Sequence, residues 1–228
     1  MSISRGLSNA SHAAAITGYI VLTATLWLLS SGAGLSSPQI EYGNVDGINE
    51  GTDACDPDEV FAKMKKEKLL IPPVDLNVRG IAVRVPYKAE ENREVGTHGF
   101  TRNDGAKFHA GTDLLGDEGE SVLAVTSGRI IAAGLSQTLG NYAILRTDVV
   151  VPPALPCAID VVYAHLQSPA KTGEVFAGTE IGKMGRTGNV ESNIPTHLHI
   201  EIWVSGYSPG LEARKKFTRD IIVLFRPF

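Results

Sequence analysis

Pro195-Thr196-His197-Leu198-His199-Ile200-Glu201-Ile202-Trp203-Val204 is the stretch on which the reading of this chain turns. Its residues alternate. In an extended strand alternate side chains share a face, so His197, His199, Glu201 and Trp203 look one way. Leu198, Ile200, Ile202 and Val204 then look the other way, into an apolar layer. A strand with aliphatic backing and two imidazoles in front suits a site laid on a packed sheet.

Two histidines need partners before they hold a metal, because catalytic zinc takes three protein ligands and keeps one open position. The chain has six histidines. His109 stands in Phe108-His109-Ala110-Gly111-Thr112-Asp113, and His165 in Val162-Tyr163-Ala164-His165-Leu166. Three separate strand-like segments thus supply imidazole or carboxylate groups. His109 and Asp113 are four residues apart, a spacing that shares one face of an extended segment or of a helix; Gly111 and the β-branched Thr112 disfavour the helix. A site of His109, Asp113 and one strand histidine offers two neutral ligands and one anion, leaving zinc a net positive charge and Lewis acidity toward water. The other imidazoles titrate near neutrality and can act as acid, base or oxyanion donor.

These residues carry a family resemblance. His-x-x-x-Asp at 109 and 113, Tyr-Ala-His-Leu at 163–166, Gly-x-Thr-Gly at 185–188 and His-Leu-His-Ile-Glu at 197–201 resemble the lysostaphin/LytM-type peptidoglycan zinc metallo-endopeptidases. The likeness runs from about Gly99 to Val204. The many short strands with frequent turns after His109 argue a mainly β fold, an antiparallel β-sandwich or barrel-like catalytic domain of this type, and the helix start at Asp56-Pro57 adds a short N-terminal helical arm. The resemblance implies one zinc ion on His109, Asp113 and His199, with His165 and His197 as catalytic residues beside the scissile carbonyl. The implied partners are peptidoglycan peptides, cut in the stem or the cross-bridge. Gly99-Phe100-Thr101-Arg102 inverts the Phe-Gly order often seen in that family, and Arg102 is the counterpart this leaves for the family's arginine. Glu201 reads either as a group orienting a ligand or as a strand-surface carboxylate; Tyr163 reads as packing, and Gly185, Thr187 and Gly188 as a loop at the groove rim.

The 228 residues carry a net charge of -4 and are 43% hydrophobic. That is enough apolar material for a folded core, and it supplies no basic face for nucleic acid. Arg5 precedes an uncharged stretch from Ala13 to Leu29 that reads as an export segment, ending in small residues at Ser31-Gly32-Ala33. The alternative is an uncleaved anchor, the one route by which the chain would touch a membrane. Either places the body outside the cytoplasm, in the periplasm or at the cell wall. The expected organisation is therefore 1–33 as signal peptide or anchor, 34–95 as linker and helical arm, and 96–228 as catalytic domain with a C-terminal tail. Cys55 and Cys157, in a compartment that permits disulfides, are a candidate bridge.

Local signals give further expectations. Asp56-Pro57-Asp58-Glu59 starts a helix that runs to about Lys68, before Ile71-Pro72-Pro73; its four lysines read as a solvated face. Asn77 to Val85 reads as a strand, and Tyr87 to Asp104 as a boundary loop in which His98 is an ordinary loop histidine. Ser121–Val125 and Arg129–Ala133 read as a hairpin around Thr126-Ser127-Gly128. Tyr142–Arg146 and Ala158–Leu166 read as a second pair across a proline-rich loop, Ile221–Phe225 as a strand or packed end, and Arg214-Lys215-Lys216 as solvated surface. Two other functions are compatible with the sequence: a non-catalytic envelope module that binds wall or activates another hydrolase, and an enzyme inhibited by its own arm, which deletion of Gly34 to Val95 would activate.

Overall fold

The computed structural model describes residues 56–75, 95–147, 157–204 and 210–225. The expected strand at 77–85, the apolar stretch at 13–29 and Cys55 lie outside them. Among the described residues, no helix is long and apolar enough to cross a membrane.

Helix α1 spans Pro57–Glu67 and begins as its sequence dictates. The Asp56 carboxylate accepts from the Asp58 N–H at 2.9 Å, Pro57 opens the first turn, and Lys68 ends the helix in the left-handed region. Its buried side chains are Pro57, Val60, Phe61 and Met64.

Among the described residues ten strands follow: β1 (Gly99–Arg102), β2 (Lys107–His109), β3 (Gly111–Leu115), β4 (Ser121–Leu123), β5 (Gly128–Ser136), β6 (Gly140–Thr147), β7 (Ile159–Leu166), β8 (Gly173–Val175), β9 (Glu180–Lys183) and β10 (His197–Val204). Six of them form one antiparallel sheet in the order β3-β10-β7-β6-β5-β8; β1 pairs with β2, and β4 with β9. Helix α2 (Leu211–Phe217) and a 3-10 turn (Ile222–Leu224) end the described chain.

The mainly antiparallel β class agrees with the sequence reading, and so does the β6–β7 pair. The hairpin expected over Ser121–Ala133 does not form. β4 joins β9, while β5 joins β6 and β8. The turn chemistry at Thr126-Ser127-Gly128 separates two strands of different sheets, because Gly128 must lie flat on β6: a Cβ there would meet the Arg146 carbonyl oxygen at 2.2 Å. The supposed boundary loop likewise ends in structure, since β1 lies within it. Ile221–Phe225 is a packed end, built as a 3-10 turn rather than a strand.

One face of the large sheet, the back, is aliphatic. Leu198, Ile200, Ile202 and Val204 of β10 join Ile159, Val161 and Tyr163 of β7, Leu145 of β6 and Leu114 of β3 in a single core. Val60, Phe61 and Met64 of α1, Leu70 and Val74 belong to that same core, as do Ile221, Leu224 and Phe225. Burying each large aliphatic or aromatic side chain contributes about 1.5–3 kcal/mol. Tyr163 is packing, as expected, with its hydroxyl accepting from the Val125 N–H at 2.9 Å. Cys157 also lies at this core and is disulfide-bonded.

Candidate metal centre

The opposite, front face of the sheet carries the chemistry. In the β10–β3 ladder His199 lies opposite Asp113, and Glu201 opposite Gly111. Direct antiparallel partners share a face, which sets the His199 imidazole beside the Asp113 carboxylate without any loop. β2 delivers His109 just before Ala110.

Three atoms converge. His199 Nδ1 lies 2.9 Å from Asp113 Oδ1 and 3.0 Å from His109 Nε2, and His109 Nε2 lies 3.3 Å from Asp113 Oδ1. A tetrahedral zinc with bonds of about 2.0–2.1 Å spans ligand pairs about 3.3–3.4 Å apart, so this triangle has nearly the right edges for one face of the tetrahedron. The far nitrogen of each ring is already committed. His109 Nδ1 donates to the Thr97 carbonyl at 2.9 Å, and His199 Nε2 donates to Glu201 Oε1 at 2.9 Å. These partners orient both rings so that His109 Nε2 and His199 Nδ1 face Asp113 Oδ1, the orientation in which a bound cation would meet all three. The donor set fits a metal cation.

Electrostatics points the same way. Burial alone would depress His199, but the carboxylates of Asp113 and Glu201 overcome it and push its pKa up to about 9. Burial opposes the charge of Asp113 too, yet the imidazoles of His109 and His199 beside it hold it well below the usual carboxylate range. Burial pushes Glu201 upward, but His199 and the Trp203 indole N–H, which donates to Oε2 at 2.7 Å, outweigh it and hold its pKa below the ordinary value. Of the two readings of Glu201, the orienting one agrees with the structure: it is 5% exposed and bonded to a candidate ligand.

Arg102 closes one side. Its Nη2 donates to Asp113 Oδ2 at 2.5 Å and to His109 Nε2 at 2.9 Å. Holding Oδ2 leaves Oδ1 as the oxygen that faces the two imidazoles.

His165 and His197 stand beside this triad and outside it. Their rings meet edge to face with centroids 5.0 Å apart, and His165 lies 5.9 Å from His199. His197 Nδ1 donates to the Pro195 carbonyl, and His165 Nδ1 to the Thr187 carbonyl, each at 2.8 Å. Both Nε2 atoms therefore keep a lone pair. Burial lowers both pKa values, that of His165 to about 3, so the free rings are neutral imidazoles near pH 7. A cleft of about 170 Å³ opens over them, lined also by Arg102, Asn103, Asn189, Val190 and Ile194.

Residues 107–209 match the model of Peptidase family M23. They form a peptidase family M23 domain. This is a zinc metallopeptidase domain of the LytM/lysostaphin type. The catalytic domain of the antimicrobial peptidase lysostaphin from Staphylococcus simulans is 27% identical, covering 56% of this chain and 86% of its own length, with a TM-score of 0.43. Lysostaphin itself, from the same organism, is 31% identical over 50% of this chain and 42% of its own, with a TM-score of 0.39. A zinc-containing peptidase from Vibrio cholerae is 26% identical over 48% of this chain and 32% of its own, with a TM-score of 0.39. The chain thus spans most of the isolated lysostaphin domain and less than half of the two longer proteins.

All five residues singled out in the sequence come together at this M23 site. Three neighbours were not singled out: Thr97, whose carbonyl orients His109; Trp203, as donor to Glu201; and Gly111, as a space. A Cβ on Gly111 would meet the Ile200 carbonyl oxygen at 2.5 Å and His199 Cε1 at 2.8 Å. A glycine inside a strand marks such close approach, and its place between the two ligand positions was the available signal. His98 is an ordinary histidine, as expected, with Nε2 2.8 Å from the Thr218 hydroxyl and its ring edge-on to Phe108. Arg214 is more than solvated surface, for its Nε is buried.

Proposed function

We propose that this chain is an exported endopeptidase that hydrolyses peptide bonds in bacterial peptidoglycan, in the stem peptide or the cross-bridge. In this reading His109, Asp113 and His199 hold one zinc ion, and His165 and His197 are the catalytic residues. Residues 1–33 serve as signal peptide or anchor, 34–95 as linker and helical arm, and 96–228 as the catalytic domain with its tail. The observation that carries the reading is the convergence of His109 Nε2, His199 Nδ1 and Asp113 Oδ1 beside the imidazoles of His165 and His197, whose Nδ1 atoms are held by backbone carbonyls.

When bound there, zinc supplies Lewis acidity toward water and the scissile carbonyl. The protein's own groups do the rest. Glu201 and the Thr97 carbonyl keep His199 and His109 in their ligating tautomers. Arg102 retains Asp113 Oδ2 so that the carboxylate offers a single oxygen. A peptide in the cleft meets the Nε2 atoms of His165 and His197. Either can accept a proton from the attacking water at Nε2 and, as the imidazolium so formed, stabilise the developing oxyanion and pass that same proton to the leaving amine.

The test is mass spectrometry of soluble fragments released from purified peptidoglycan by the zinc-loaded chain, beside its His197→Ala variant. New peptide termini from the parent alone establish the endopeptidase and identify the bond. No fragments from either protein would sink the reading and favour a binding role.

A further inference from the structure

β7 does not alternate to its end. Ile159, Val161 and Tyr163 face the back core, and so does Leu166. A regular strand would have sent His165 to the back. Instead Asn141 pairs with Leu166 while Ala143 pairs with Tyr163, so three steps of β7 oppose two of β6, and His165 takes a left-handed φ of 61°. This is a bulge that re-aims one side chain. The conformation is costly for a non-glycine residue, and something must hold it.

The holder is a hydroxyl wedged into the ladder. Thr187 Oγ1 accepts from the Asn141 N–H at 2.8 Å and donates to the Leu166 carbonyl at 2.7 Å, standing between two groups that an unbroken ladder would join directly. Asn141 Nδ2 donates to the carbonyls of Leu166 and Gln167, which the bulge displaces. Room for the wedge comes from glycine: a Cβ on Gly140 would meet Thr187 Oγ1 at 2.3 Å, and one on Gly188 the Gly140 nitrogen at 2.3 Å. The same Thr187 then presents its carbonyl to His165 Nδ1.

We propose that Thr187 is a positioning residue, whose hydroxyl wedge holds the β7 bulge and whose carbonyl, thereby placed, keeps the His165 proton on Nδ1 and its Nε2 lone pair toward the cleft. The proposal rests on the reading above for the use made of that lone pair, but not for the wedge itself.

The experiment compares the zinc-loaded full chain with T187V, which keeps the shape and loses the hydroxyl, and with T187S, which keeps the hydroxyl. Imidazole ¹⁵N spectra report the His165 tautomer, and peptide hydrolysis reports kcat and KM separately. T187V should lose the single Nδ1–H tautomer and drop in kcat by about 10–100-fold with KM little changed, while T187S keeps both near the parent. If T187V does not fold, T187A replaces it. A single Nδ1–H tautomer that persists without the hydroxyl overturns the proposal whatever the activity. Equal impairment of T187S and T187V also overturns it. Loss of the tautomer with full activity in both T187V and His165→Ala upholds the wedge and instead sinks the catalytic assignment of His165.

Discussion

β10 and β7 lie side by side, and each puts histidine on the front face by a different means. β10 alternates through all eight of its residues: His197, His199, Glu201 and Trp203 in front, four aliphatics behind. β7 alternates until Tyr163 and then gains a residue, bringing His165 forward with a left-handed backbone. Metal ligands need fixed mutual distances, which a ladder supplies; β10 and β3 place His199 against Asp113 by register alone. A group that meets substrate from another angle has to leave the plane of the ladder, and a bulge is the local way to do so.

The largest effect should come from the regular strand. His199→Ala removes a candidate ligand and leaves Glu201 buried without its imidazole partner, so bound zinc measured by elemental analysis should disappear. kcat/KM should fall by more than about 10³-fold, the loss of several kcal/mol of transition-state stabilisation. His165→Ala should behave differently, with zinc content unchanged and kcat lower by about 10²-fold or more. Equal zinc loss in the two variants would erase the distinction between the strands.

Gly111→Ala tests the ladder without touching a ligand. Its new methyl meets the Ile200 carbonyl oxygen and the His199 ring, so β3 and β10 must shift. Thermal unfolding should show a loss of about 1–3 kcal/mol, and chelator competition should show weakened zinc binding. The back faces of both strands are tested by deleting residues 34–95. Val60, Phe61, Met64, Leu70 and Val74 would leave the core, and the melting temperature should fall; an activated enzyme with an unchanged melting temperature would show that α1 is dispensable.

His98, on neither strand, sets the smallest expectation. Burial lowers its pKa to about 4 from 6.5. The folded pKa is the lower one, so the unfolded chain takes the proton first as pH falls. The contribution to stability is complete above about 6.5 and is lost as pH drops toward about 4. His98→Gln keeps a donor for Thr218 and should flatten that part of the stability profile, measured by thermal denaturation between those two pH values.

Much of this molecule is legible locally. α1 begins at its acidic cap and proline because both act within one turn. The two faces of β10 follow from the period of an extended chain. Strand pairing is less legible: β4 has three residues and takes β9 as its partner, and a short strand carries too little pattern to name a distant neighbour over the adjacent one. Glu201 read equally well as surface or support, because the choice depends on what covers it. Trp203 and its own bond to His199 decide that.

From the sequence alone come the chemical identities of the site and the face on which β10 presents them, since side-chain alternation is a property of the backbone within a few residues. Only the tertiary structure decides that His109, Asp113 and His199 meet at one point, that Glu201 is buried behind His199, and that His165 stands in front. Each of these depends on contacts between segments far apart in the chain, and in the last case on a hydroxyl from Thr187 entering a ladder between two other strands.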